Sequence, residues 1–406
     1  MPGVRRRPVS VLLFACVLAL VAATAVPAAE APLAPRLAQA LAVPDVASSV
    51  TAGLAVDLRT GDVVFGRNAA TSLAPASTEK LAVTYALLAA LGPDFHIDTE
   101  VLGHGTLDGT TWRGNLVLKG YGDPTLSSAG LARLAARVRA AGIARVTGAI
   151  VGDESFFDSL RTAPGWKASF YGDESPPLSA LSVDRGMYRG VMATSPALAA
   201  ARLLGQALRA AGVSVAGAPR TGVASATDLP VATFASPPLA RIVTMMDRES
   251  DNFTAELLLK ELGALYADRG STGAGAGAVR ELLANAGVPL AGVRIVDGSG
   301  LSLVDRLTAQ ALVAILEASW LDPDIRPTLV AALPVAGVSG TLQTRMRTAP
   351  ARGNVIAKTG TTDEASALAG YVRGRYVFAV LQNGHPVSTT WARTAQDRFA
   401  TLLASQ

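Results

Sequence analysis

The 406-residue chain is too long for a single ordinary core, so it holds at least two domains. Half of its residues are apolar and 17% are charged, which excludes a disordered chain. The formal charge of +4 includes three N-terminal arginines unmatched by any acid before Glu30; the remainder is near neutral and offers no basis for a nucleic-acid partner.

"MPGVRRRPVSVLLFACVLALVAATAVPAAEAP" reads as an export signal over residues 1–29: Arg5, Arg6 and Arg7 precede an apolar run from Val9 to Val26, and small residues follow. The protein is therefore expected outside the cytoplasm, in the periplasm or cell wall, and attached to a membrane only if this segment stays uncleaved. Cys16, the one cysteine, lies inside the segment, which leaves the mature chain without thiol chemistry. "TAGLAVDLRTGDVVFGRNA" alternates like a β-hairpin turning at Arg59–Asp62. Pro75 and Ser77 start a helix that runs to Leu91, where Gly92-Pro93 stops it. Between about His96 and Ala235, short strand-like pieces alternate with Ala-rich helical ones, the texture of a separate α/β unit. "LARIVTMMDRESDNFTAELLLKELGALYAD" then reads as strongly helical, with another helix from Gly273 to Ala286. Strand patterns return in "RGNVIAKTGTT" and in a hairpin turning at Arg373-Gly374-Arg375, and a helix from about Ser388 to Leu403 closes the chain. Strands near both ends predict one antiparallel sheet built from the two termini, with the middle unit inserted. The expected division is 1–29 signal, 30–95 with 236–406 as the main domain, and 96–235 as the insertion.

Only five lysines stand against thirty-one arginines, and two of the five lie in short motifs. Ser77 and Lys80 are three residues apart, a spacing that puts a hydroxyl and an amine on one helix face. Serine is a poor nucleophile until a base removes its proton, and lysine serves as that base only when burial or a second cation lowers its pKa. Taken alone, the pair reads as a capping serine with a surface lysine. Ser250-Asp251-Asn252 and Lys358-Thr359-Gly360 change that reading, because S-x-x-K, S-D-N and K-T-G each occur once and in this order. Ser77 would attack a carbonyl and Lys80 accept its proton. Ser250 would relay a proton to the departing amine, and Asn252 would position Lys80 and the substrate amide. Lys358 would keep Lys80 neutral and, with Thr359 and Thr361, face a substrate carboxylate. Gly360 would let an extended peptide lie against the strand, with the N–H groups of Ser77 and Thr361 as oxyanion donors.

With these motifs the chain resembles the penicillin-binding D-alanyl-D-alanine carboxypeptidases/endopeptidases that carry a large insertion after the first motif. The resemblance runs from about Val50 to the C-terminus and includes "KGYGDPTLSS", "GAIVGDESFFD", "PPLSALSVDRG", "VDGSGLS", "LPVAGVSGTL" and "SALAGYV". It implies an α/β (α+β) fold: a transpeptidase/β-lactamase-like main domain, its antiparallel sheet flanked by helices, with accessory α/β domains in the insertion. It implies peptidoglycan stem peptides as substrate, β-lactams as covalent inhibitors at Ser77, and no cofactor. It also implies a pocket for the far end of the stem, for which Trp166, Tyr171 and Arg306 are the nearest matches. Thr362 and Glu364 depart from the apolar residue and the glycine common beside the third motif.

His96, His104 and His385 are too scattered for a zinc site or a Ser-His-Asp triad. Gly273, Gly275 and Ala278 imitate a nucleotide motif without a preceding strand, and Ser299 in "DGSGLS" reads as part of a tight turn. Three rivals remain: a serine β-lactamase, which would need a water-activating glutamate, a catalytically silent cell-wall binding protein of the same fold, and a relaxed esterase or peptidase of that fold with another substrate.

Overall fold

The computed structural model describes residues 32–406, so the expected signal segment lies outside the described residues. In chain order come α1 (Leu33–Ala40), β1 (Thr51–Asp57), β2 (Val63–Arg67) and α2 (Lys80–Leu91). Then follow β3 (Asp98–Asp108), β4 (Thr111–Gly120), α3 (Ser128–Ala140), β5 (Ile150–Asp153), α4 (Pro196–Ala210) and β6 (Leu229–Ala235). The chain continues with α5 (Leu239–Glu249), α6 (Asn252–Ala267), α7 (Thr272–Asn285) and α8 (Ala309–Leu321). It ends in β7 (Val355–Thr361), β8 (Ala365–Val372), β9 (Tyr376–Asn383) and α9 (Thr389–Ala404).

Both hairpins turn where the alternation places them, and the two ends of the chain meet in one five-stranded antiparallel sheet ordered β7-β8-β9-β1-β2. Thr51 pairs with Gln382 and Asp57 with Tyr376, so β1 is a central strand. All seven of its residues are buried, because helices cover both faces of the sheet. The pleat sends Ala52, Leu54 and Val56 to one face, against α2 and the helical middle of the chain. Ala55 faces the other way, into a core closed by Leu37 of α1 and by Phe399 and Leu403 of α9. A shared anion ties the two hairpin turns together: Asp57 accepts from the Arg59 backbone N–H at 3.0 Å and from Arg375 Nε at 3.1 Å.

Helix α2 is apolar all round, as a helix through the middle of a core must be. Gly92, at φ 77°, ends it in a conformation that suits glycine. The second sheet has β5, β4, β3 and β6 adjacent in that order, with its own core of Leu116, Leu118 and Ile150 under Leu131 and Leu134 of α3 and Leu204 and Leu208 of α4. β3 and β6 are antiparallel neighbours, with Asp98 opposite Ala235, so residues 98–235 leave and rejoin the main fold at one point.

The helical run after β6 is divided. Ser250 adopts a left-handed conformation at φ 60°, ending α5, and the Asp251 side chain caps α6 by accepting from Phe253 N–H at 3.1 Å. Apolar periodicity continues through this break, so the pattern alone conceals it.

Candidate active site

Ser77 sits on a 3-10 turn, Ala76–Glu79, immediately before α2, so it precedes the helix instead of opening it. Ala76 is held at φ 46°, a left-handed conformation that costs an alanine about 1–2 kcal/mol. Two glycines hold the turn by letting neighbouring backbone approach. A Cβ on Gly300, itself at φ 80°, would lie 2.0 Å from the Ala76 carbonyl oxygen. One on Gly360 would lie 2.7 Å from the Pro75 oxygen and 3.1 Å from the Ser77 nitrogen. The bare edge of Gly360 thus fits the backbone of the turn that carries Ser77. Gly360→Ala is expected to push the turn off β7, lowering stability by about 1–3 kcal/mol and slowing Ser77 acylation at least tenfold. Thermal unfolding and penicillin labelling measure the two effects separately, and unchanged labelling would refute the contact's importance.

Lys80 is fully buried, and its Nζ has three oxygens in reach: Ser77 Oγ at 3.0 Å, Asn252 Oδ1 at 2.9 Å and the Ser299 carbonyl at 2.7 Å. The last two only accept. A neutral amine gives both of its N–H bonds to them, and its lone pair then points at the serine hydroxyl. Burial lowers the pKa of Lys80, while Asp297, Asp247, Glu256 and Asp251 pull the other way.

Lys358, also fully buried, donates to Ser250 Oγ at 2.8 Å and to the Thr359 carbonyl at 2.9 Å. Burial first and the Lys80 charge second push it down to about 7, with Asp247 opposing. A cleft of about 250 Å³ opens over this group, lined by Ser77, Ser250, Thr341, Thr359, Thr361 and Arg393, among others. Thr359 Oγ1 lies 2.7 Å from Thr341 Oγ1, and Thr361 Oγ1 accepts from Arg393 Nη2 at 3.3 Å. Arg345 also lines the cleft but is ion-paired with Asp397 at 2.7 Å, whereas Arg393 has no ion pair among the described residues.

Behind Lys80 lies a group of buried acids, of which Asp297 belongs to the "VDGSGLS" stretch while Glu79 and Glu256 had no role assigned from the sequence. Glu256 Oε1 accepts from the N–H groups of Gly298 at 3.0 Å and Ser299 at 2.8 Å. Asp297 accepts from Gly300 N–H at 2.7 Å, Ser302 N–H at 2.8 Å and Ser299 Oγ at 3.1 Å. Together they fix the turn whose carbonyl holds Lys80. Glu79 is fully buried with neither carboxyl oxygen hydrogen-bonded, and burial followed by Asp297 and Glu256 raises its pKa well above the usual range. The neighbouring Lys80 charge pulls the other way, so burial and the two acids disfavour the carboxylate against it.

The three predicted pocket residues are dispersed. Trp166 Nε1 donates to Asp297 at 2.7 Å, so its indole braces the turn behind Lys80. Arg306 lines a recess of about 80 Å³ beside Ala76, together with Lys167, Phe170, Asp363, Glu364 and His385. Tyr171 is 40% exposed and does not line that recess. Glu174, from the insertion, had no signal in the sequence: both its backbone carbonyl and its Oε2 accept from Asn252 Nδ2 at 3.3 Å.

A buried amine poised to strip a serine, set at the edge of an antiparallel sheet that both termini complete, belongs to an enzyme that passes acyl groups through serine, with the penicillin-binding transpeptidase fold. A model of the D-Ala-D-Ala carboxypeptidase 3 (S13) family matches residues 33–197 and 188–406. The chain belongs to that family and is a serine-type D-Ala-D-Ala peptidase. It is 35% identical to carboxypeptidase DacB of Mycolicibacterium smegmatis over 92% of this chain and 84% of that protein. It is 31% identical to the D-alanyl-D-alanine carboxypeptidase of an Actinomadura species over 89% and 82% of the respective chains. Among solved structures, penicillin-binding protein 4 of Haemophilus influenzae shares the fold with a TM-score of 0.79, at 23% identity over 91% of this chain and 98% of that one.

Proposed function

We propose that this peptidase releases the terminal D-alanine from peptidoglycan stem peptides through an acyl-enzyme on Ser77, and that the same site opens cross-links with the same D-centred bond. The observation that carries the reading is the three-acceptor setting of Lys80. Two oxygens there can only accept, and the third is the nucleophile. Lys80 takes the Ser77 proton as Oγ bonds to the carbonyl carbon, and the N–H groups of Ser77 and Thr361 receive the oxyanion. Ser250, bonded to Lys358, delivers a proton to the departing amine. The proton taken by Lys80 passes on to refill Ser250, so Lys80 is neutral again; water then attacks the ester and gives a proton to Lys80, which returns it to Ser77 Oγ as the ester bond breaks.

Asn252 offers its amide to the acyl side of the substrate. The carboxylate next to the scissile bond lies toward Lys358, Thr359, Thr361 and Arg393, where Arg393 is a cation without an ionic partner of its own among the described residues. Arg306, with Lys167 and Phe170, provides the recess for the far end of the stem, while Trp166 acts through Asp297. Residues 30–95 and 236–406 form the catalytic domain and 96–235 the accessory one. A β-lactam, which carries a strained amide and a carboxylate in the same relation, acylates Ser77 in place of the peptide. A relative of the same fold has been crystallised with a β-lactam bound. The substrate places the working enzyme outside the cytoplasm, and no helix among the described residues is long and apolar enough to cross a membrane.

Intact-mass analysis after penicillin treatment tests the reading. One adduct is expected on the peptide holding Ser77, absent from Ser77→Ala, together with D-alanine release from a diacyl-D-Ala-D-Ala peptide. No adduct on the wild type would favour the silent binding protein, and fast nitrocefin turnover the β-lactamase.

A further inference from the structure

The insertion reaches the second motif at two consecutive residues. Arg185 Nη1 and Nη2 donate to Asp251 Oδ2 at 2.6 Å and Oδ1 at 2.9 Å, a bidentate pair, and the guanidinium lies 5.0 Å from the Phe253 ring centroid. Glu174 takes both of its bonds from Asn252 Nδ2. Asp251 is not a free surface acid, since it also caps α6 and accepts from Thr254 Oγ1 at 2.7 Å. Its neighbour Asn252 holds Lys80 at 2.9 Å. Burial raises the pKa of Asp251, but the Arg185 pair, the Thr254 hydrogen bond and the Lys80 charge together outweigh it and leave the carboxyl below its ordinary value.

The backbone that presents Arg185 is held in an unusual form. Asp184 and Arg185 are consecutive left-handed residues, at φ 48° and 58°, and neither is glycine. The turn is pinned by Asp184, which accepts from Ser128 N–H at 3.0 Å and from the Ser128 hydroxyl at the start of α3, and by Asp184 N–H donating to the Leu126 carbonyl at 2.9 Å. A simple tether between two lobes needs neither a strained turn nor a planar two-point grip, and exposed ion pairs contribute little as tethers. We propose that Arg185 is a positioning residue for acyl transfer: it fixes Asp251 and hence Asn252, so the amine that activates Ser77 is aligned from the insertion. The insertion is then part of the catalytic apparatus as well as a wall of the substrate cleft.

The inference rests on the reading of Ser77 as the acylated nucleophile, and one experiment separates the two. Stopped-flow acylation by a fluorescent penicillin gives the encounter constant and the first-order acylation constant for wild type, Arg185→Met, Arg185→Lys and Arg161→Met. Arg161 is the control: it makes a comparable ion pair with Glu154 at 2.6 Å inside the insertion, and its hydrogen bonds go to Glu154 and the Leu178 carbonyl, not to the second motif. For Arg185→Met the acylation constant is expected to fall 10- to 100-fold with the encounter constant changed less than threefold. Arg185→Lys is expected to recover part of the loss, because an ammonium cannot match both carboxylate oxygens. Arg161→Met is expected to acylate like the wild type. The unfolding midpoint of each variant is measured alongside. A lower midpoint in Arg185→Met with an unchanged acylation constant for the folded protein would show a merely structural role and overturn the proposal. A wild type that forms no adduct would instead overturn the Ser77 reading.

Discussion

Lys80→Met is expected to slow the acylation of Ser77 by about 10²–10⁴-fold, the usual worth of a positioned base. Methionine keeps the length of the side chain in a site that is fully buried, so the packing of α2 against the core is preserved. What is lost is the lone pair facing Ser77 Oγ. Two acceptors, Asn252 Oδ1 and the Ser299 carbonyl, also lose their donor, at about 1–3 kcal/mol for each group left unpaired. Removal of a buried amine's desolvation cost offsets part of that, so the variant is expected to fold. The checks are the acylation rate with a fluorescent penicillin and the thermal midpoint. A folded variant that acylates within tenfold of wild type would mean that another group takes the proton.

Lys358→Met is expected to move the acid limb of the acylation profile to higher pH. The two amines are neighbours: burial and the Lys80 charge hold Lys358 down to about 7, so the two are protonated together only as the pH falls through that region. With both protonated, Lys80 has no lone pair, so the wild-type rate falls as pH falls through that region. Removing Lys358 removes the cation that disfavours protonated Lys80. The Lys80 pKa therefore rises, and the rate begins to fall at a higher pH than in the wild type. Affinity for a carboxylate-bearing ligand should weaken as well, since Lys358 lies under the cleft. Rates measured across pH 5–9 decide the point (a range chosen to bracket the amine's shift toward neutrality). A limb that stays in place or moves to lower pH would remove Lys358 from the account of Lys80's neutrality.

The three motifs were legible because their chemistry is local. Ser77 and Lys80 are near neighbours in sequence, and the sparse use of lysine makes each one conspicuous. Alternation at both ends of the chain was enough to foresee a sheet shared by the two termini. The left-handed break at Ser250 was hidden, because the apolar period runs through it while the decisive event is one backbone rotation. Ser299 was read correctly as part of a turn, but the use of its carbonyl depends on Lys80, 219 residues away. Glu256 holds that turn from α6 while Asp297 is part of the turn itself, and no spacing rule links the two. Arg393 was one arginine of thirty-one until the fold brought α9 to the end of β7. Gly360 was recognised as a place of close approach, although the backbone that approaches is the protein's own.

The pairing of β1 with β9 bears on how the protein is made. β1, synthesised early, can pair at once with β2, but its other edge finds a partner only when Tyr376–Asn383 has been translated, so nearly the whole chain must be available before the central sheet can zip. Until then Leu54 and Val56 have no completed core, and the nascent polypeptide is open to proteases and to wrong partners. A ribosome that stops short of the final hairpin therefore releases a product that carries Ser77 and Lys80 without the sheet they are set against, an unfinished copy with no assembled site.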